Sequence, residues 1–159
     1  MNNEKEIYYA IVYNEPGELE KLITKENINS KIKDGYPVHY AVIKNNYDIT
    51  KYLLENGADG NMQFEDGATP LIIASENGFS EICRLLLEHK VQVNEVDKHG
   101  NDALVKAILY GRTDIIKLLL KHGANPNNSK VKGKTAIQLA EEMKQEEMIV
   151  LLKKSHNRQ

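Results

Sequence analysis

A period of 33 residues runs through this 159-residue chain and constrains its fold more than any other feature. Ala41, Ala74, Ala107 and Ala140 stand at that interval, and so do Ile49, Ile82, Ile115 and Met148. The runs Tyr52-Leu53-Leu54, Leu85-Leu86-Leu87, Leu118-Leu119-Leu120 and Leu151-Leu152-Lys153 follow in step, with Asn61, Asn94 and Asn127 behind the first three. Self-similarity at a fixed interval of this size means that one supersecondary unit is copied along the chain.

Each copy reads as a helix hairpin. A short apolar stretch around the alanine ends at a break such as Asn77-Gly78 or Tyr110-Gly111, and a second stretch runs to Gly57-Ala58 or Gly123-Ala124. From Ile82 to Leu86 the apolar residues fall at i, i+3 and i+4, one stripe on one helical face. Glycine after the second helix suits a left-handed cap, and the Asn- and Asp-rich residues behind it suit a turn. Two short helices cannot bury their apolar faces alone, so neighbouring copies must stack.

Composition narrows the class further. With 41% hydrophobic and 28% charged residues, the chain has enough apolar material for a packed core. Its length predicts a single domain over 1–159. A net charge of -2 argues against a nucleic-acid partner, whose phosphates call for a basic surface. No apolar stretch approaches the roughly 18 residues of a membrane span, and the N-terminus has no basic region followed by an apolar run. With Cys83 as the lone cysteine, no internal disulfide can form, which predicts a reducing, cytoplasmic setting.

The segment Phe64 to Gly78, with Thr69-Pro70-Leu71 and Ala74, continuing to Leu85-Leu86-Leu87, resembles the ankyrin repeat, whose motif centres on T-P-L-H-x-A. The third copy opens on Asp97-Lys98-His99-Gly100 and closes on Leu118-Leu119-Leu120-Lys121-His122-Gly123-Ala124-Asn125-Pro126-Asn127, similar to the family's L-L-L-x-x-G-A-D-x-N. The resemblance implies an all-α solenoid with repeats at 33–63, 64–96 and 97–129. Residues 1–32 are then a divergent N-terminal cap, with helices expected at 7–13 and 19–24 joined by 14–17, and residues 130–159 a C-terminal capping repeat and tail. Terminal repeats differ because one face meets water. No copy keeps both the threonine and the histidine of the motif, which predicts a stability below that of a consensus array. The first has His39 alone, the second Thr69, the third Asp102, and the fourth Thr135.

Chemistry finds little purchase. His89 and His122 occupy equivalent positions one repeat apart, offset by roughly 8 to 10 Å, whereas a shared zinc needs both nitrogens about 2.0 to 2.1 Å from one ion. Two solvated side chains at helix ends fit that spacing better. Cys83 is expected to be buried and inert. No glycine pattern matches a phosphate-cradling loop. We therefore expect no catalysis, metal, cofactor or small-molecule substrate, and a monomer when free.

The family binds other proteins through its hairpin tips and the solvent-facing side of each first helix. Carried over by register, that implies a partner surface holding Glu65, Asp66, Ala68, Glu76 and Asn77 in the second copy and Lys98, His99, Asn101, Leu109 and Tyr110 in the third. The fourth adds Val131, Lys132, Lys134, Glu142 and Met143, and the first adds Tyr36, Ile43 and Lys44. Ile43, Leu109, Tyr110 and Met143 stand out, because large apolar groups belong to interface centres more than to a solvated surface. The other tyrosines crowd the first 52 residues, where packing is their expected role.

Charge is uneven along the chain. Residues 1–96 hold 9 Lys/Arg against 16 Asp/Glu, a net of -7, and residues 97–159 hold 12 against 7, a net of +5. This fits either solvated helix faces with a Lys-rich tail or a partner of complementary charge. Bacterial ankyrin proteins of similar size and plan include immunity proteins that neutralise a cognate toxin. The resemblance thus implies a non-enzymatic module that blocks one protein, with a host-directed effector or scaffold as the alternative and a small enzyme hidden in the stack as the third reading.

Overall fold

A computed structural model describes residues 3–128 and 131–156. Among these residues are ten helices: α1 Glu4–Val12, α2 Pro16–Leu22, α3 Pro37–Ile43, α4 Tyr47–Glu55, α5 Pro70–Asn77, α6 Ser80–Glu88, α7 Ala103–Leu109, α8 Thr113–Lys121, α9 Ala136–Glu142 and α10 Glu146–His156. They pair as five hairpins in two layers. The first helices α1, α3, α5, α7 and α9 pack in succession, and the second helices α4, α6, α8 and α10 pack behind them. One apolar cluster runs from Ile7 to Leu152 through the stack, and the register alanines are buried where the first helices touch. A small side chain there lets the helices approach closely.

The turns repeat as strictly as the helices. Between the two helices of each hairpin, Asn14, Asn45, Gly78, Gly111 and Lys144 all hold the left-handed conformation. Gly57, Lys90 and Gly123 hold it after the second helices. Asn29, Asn61 and Asn94 tie each unit to the next, with their side-chain oxygens accepting from the backbone N–H of Asp59, Gln92 and Asn125 at 2.6 to 2.9 Å. Two of the periodic asparagines, Asn61 and Asn94, are thus lateral ties of the stack.

Helix starts explain how the chain tolerates an eroded motif. Thr69, Asp102 and Thr135 each accept a hydrogen bond from the backbone N–H three residues on. Asp102 does so at 2.8 Å, so the carboxylate supplies the cap that threonine supplies elsewhere, as N-cap preferences allow. His39 is fully buried, and its Nε2 donates to the Met62 carbonyl at 3.0 Å, tying the first full repeat to the loop before α5. At the N-terminus the expected boundaries shift. Helix α1 begins at Glu4, and Pro16 and Gly17 lie inside α2 rather than in its connector. Proline at the first helical position loses no hydrogen bond and has its φ preset for the helix.

Adjacent hairpin tips touch at Gly67. Its φ is +83°, and an added Cβ would sit 3.1 Å from both the Asp97 Cα and the Lys98 nitrogen. Beside it the Lys98 N–H donates to the Asp66 carbonyl at 2.8 Å. Gly67→Ala is expected to cost about 1 to 3 kcal/mol from left-handed strain, plus the loss of this tip contact. Gly133→Ala, at φ +77° with open space around it, carries the strain alone. Denaturant melts check the order, and equal losses would mean that the tips do not brace each other.

Candidate protein-binding surface

The first helices and the tips form one continuous face. Two and three positions beyond each register alanine lie its solvent-facing residues, and this places Ile43 and Lys44, Glu76 and Asn77, Leu109 and Tyr110, and Glu142 and Met143 along it. Of the large apolar groups singled out by sequence, Ile43 is 43% exposed, Leu109 39%, Tyr110 50% and Met143 37%. Leu109 and Met143 line a groove of about 410 Å³ with Val131, Leu139, Lys132, Lys134 and Glu142. An apolar floor rimmed by charge is the usual anatomy of an interface centre.

Polar groups fix the middle of this face. Lys106, mostly buried, reaches Glu76 at 3.2 Å and Asp97 at 3.9 Å. The Glu76 carboxylate beside Tyr110 raises the phenol above its ordinary pKa, through hydrogen bonding to it and through its charge. Asp97 is buried, which alone would raise its carboxyl, but hydrogen bonds from the Asn101 side chain, the Asn101 N–H and the His99 N–H leave it below the usual range. At the tips Glu65 pairs with Lys31 at 2.9 Å and Lys134 with Glu142 at 2.6 Å. Asp66 caps its own turn by accepting from the Ala68 N–H. The Asn77 side chain donates to the Ile73 carbonyl at 2.9 Å. Lys98, His99 and Lys132 are exposed, and Tyr36 is half-buried against the core.

Two expected surface residues do not belong there. Asn101 is buried, with its side-chain nitrogen bonded to both Asp97 carboxylate oxygens at 3.0 and 3.1 Å. Ala68, one repeat earlier, is buried as well. In these two repeats the position after the tip glycine turns inward and its side chain cannot meet a partner, whereas Lys134, at the same position of the fourth, lines the groove. Sequence reasoning also passed over Lys106, which faces this surface, and over Tyr9 and Tyr13, which are exposed rather than packed. Tyr13 stands three residues beyond Ala10, the column of Tyr110 and Met143, and carrying the column back to Ala10 would have found it.

The chemically suggestive residues lie elsewhere. Cys83 is fully buried, with its thiol pushed up to about 11 by burial and 3.6 Å from the Ser75 hydroxyl. A thiol in that state is not a nucleophile at neutral pH. His89 and His122 are exposed caps of α6 and α8, and the His89 Nδ1 donates to the Leu85 carbonyl at 2.9 Å. Among the described residues no three His, Cys, Asp or Glu side chains converge as metal ligands, and no helix is long and apolar enough to cross a membrane.

This architecture of stacked helix hairpins with a face of tips and first helices agrees with comparison to known proteins. The family model for ankyrin repeats, of three copies, matches residues 7–97, 38–130 and 90–159. The chain belongs to the ankyrin-repeat family, a fold for protein–protein interaction. It is similar to ankyrin repeat protein FPV230 of fowlpox virus, at 39% identity over 66 residues, covering 40% of this chain and 35% of that protein. It is also similar to a Caenorhabditis elegans homologue of transient receptor potential cation channel subfamily A member 1, at 38% over 72 residues, covering 42% of this chain and 6% of that protein. The chain thus spans about a third of the first relative and a small part of the second.

Proposed function

We propose that this chain acts by occupancy, binding one partner protein on the face of tips and first helices and blocking it without catalysis. The observation that carries this reading is the exposed apolar set Leu109, Tyr110 and Met143, with Leu109 and Met143 lining the groove, on a fold that serves protein binding. We place the free protein as a cytoplasmic monomer of one domain over 1–159. Neutralisation of a cognate toxin by an immunity protein is the form of blocking we favour, because binding alone accomplishes it. A host-directed effector or scaffold is the second reading, favoured by the similarity to a viral protein.

Affinity capture of the native partner followed by titration calorimetry tests the surface. Tyr110→Ala is expected to weaken binding by about 2 kcal/mol or more, the range of a central aromatic anchor. Its melting temperature should hold, because substitutions at exposed positions usually change stability by less than about 0.5 kcal/mol. His122→Ala, at the end of a second helix on the opposite layer, should change neither. Unchanged affinity for Tyr110→Ala with a loss for His122→Ala would move the site to the other side of the stack. Recovery of a toxic domain supports immunity, and recovery of a eukaryotic host protein supports the effector.

A further inference from the structure

The proposed binding face continues onto α1, where its largest exposed aromatic surface lies. Tyr9 is 48% and Tyr13 66% exposed, and their rings stack at 5.8 Å between centroids with 14° between planes. Neither ring belongs to the apolar cluster of the stack. Tyr8 meets Tyr9 edge-on at 5.6 Å and packs against Tyr40 at 5.0 Å, so the exposed pair rests on a fixed aromatic base. Two rings held side by side in water are pre-organised to meet a partner, because little side-chain entropy is left to lose.

The charge around them selects the partner's chemistry. Aromatic faces attract cations, and this cluster already holds one, the Lys33 ammonium 3.4 Å from the centre of the Tyr8 ring. The first 96 residues carry a net of -7. Glu4, Glu6 and Glu15, on or beside α1, have no ion pair among the described residues. We propose that Tyr9 and Tyr13 anchor the N-terminal end of the face and take an arginine- or lysine-bearing segment of the partner protein. This rests on the reading of the face as the partner surface.

The test uses the full chain and a synthetic five-residue peptide of alternating glycine and arginine, followed through the tyrosine ring resonances by NMR. The Tyr9 and Tyr13 rings should shift and saturate with this peptide and stay unmoved by the same peptide with glutamate for arginine. Tyr9→Ala with Tyr13→Ala should weaken binding about fivefold, and Tyr9→Phe with Tyr13→Phe should keep it within about twofold, since the ring face is what attracts the cation. Equal affinity for the alanine pair would reduce the effect to carboxylates alone and overturn the anchor. So would a sedimentation mass that doubles with concentration in the wild type but not in the alanine pair, because a second copy would then cover the rings. On the captured partner, full affinity for Tyr13→Ala with a loss for Tyr110→Ala overturns this inference and leaves the face intact. Full affinity for both defeats the face itself.

Discussion

In a denaturant melt, Leu86→Ala and Leu119→Ala are each expected to lose about 2 to 5 kcal/mol of unfolding free energy. Both side chains are fully buried, in the last turn of α6 and α8, where the second helices pack on one another and on the first-helix layer. Truncation removes apolar contacts from both layers and leaves a cavity that short, mutually braced helices close poorly. Lys153→Ala is the comparison. Lys153 occupies the third-leucine position of the last repeat but is exposed and pairs with Glu141 at 2.9 Å, a contact worth about 0 to 1 kcal/mol. Equal midpoint shifts in all three variants would mean that the leucine stripe does not carry the stack.

Acid should destabilise the chain through His39 before most carboxylates titrate. Burial lowers this imidazole from 6.5 to about 4, against the opposing hydrogen bond to Met62. A folded-state pKa below the unfolded one means that the neutral form favours folding. Its contribution is fully present above about pH 6.5, is lost as pH falls toward about 4, and amounts to roughly 3 kcal/mol. Urea melts at pH 7.5, 5.5 and 4.5 measure the slope. His39→Gln keeps a donor for the Met62 carbonyl but cannot titrate, so its stability should be nearly flat over that interval. Parallel decline of the two proteins would assign the acid sensitivity to other groups.

The legible part of this protein is the part written in periodic residues. The alanines, the leucine runs and the asparagines repeat because every unit solves the same packing problem, so their spacing carried the helix pairs, the stacking and the buried side of each helix. Exposed positions were legible where one large residue broke the polar pattern, as at Leu109, Tyr110 and Met143. They were obscured at α1, because the spacing from Ala10 to Ala41 is 31 rather than 33 and the register was not carried across it. Thus Tyr13 is missed although it stands in the water-facing column, and Tyr9, one turn before it, is missed with it.

By itself, then, the sequence determined the solenoid, its repeat length and the identity of its core, since a strict period admits few ways to bury every stripe. Only the tertiary structure decided which tip residues face water. Asn101 and Lys98 sit three residues apart in one short turn, yet Asn101 is drawn inward by the Asp97 carboxylate while Lys98 stays outside and donates only its backbone N–H to the neighbouring tip. Likewise, the loss of the motif threonine in the third repeat looked like a defect until the structure showed Asp102 capping α7 in its place. Side-chain direction in a tight turn depends on hydrogen bonds between groups that a repeat pattern does not specify. The period therefore fixes where the chain goes, and local polar contacts fix what it presents.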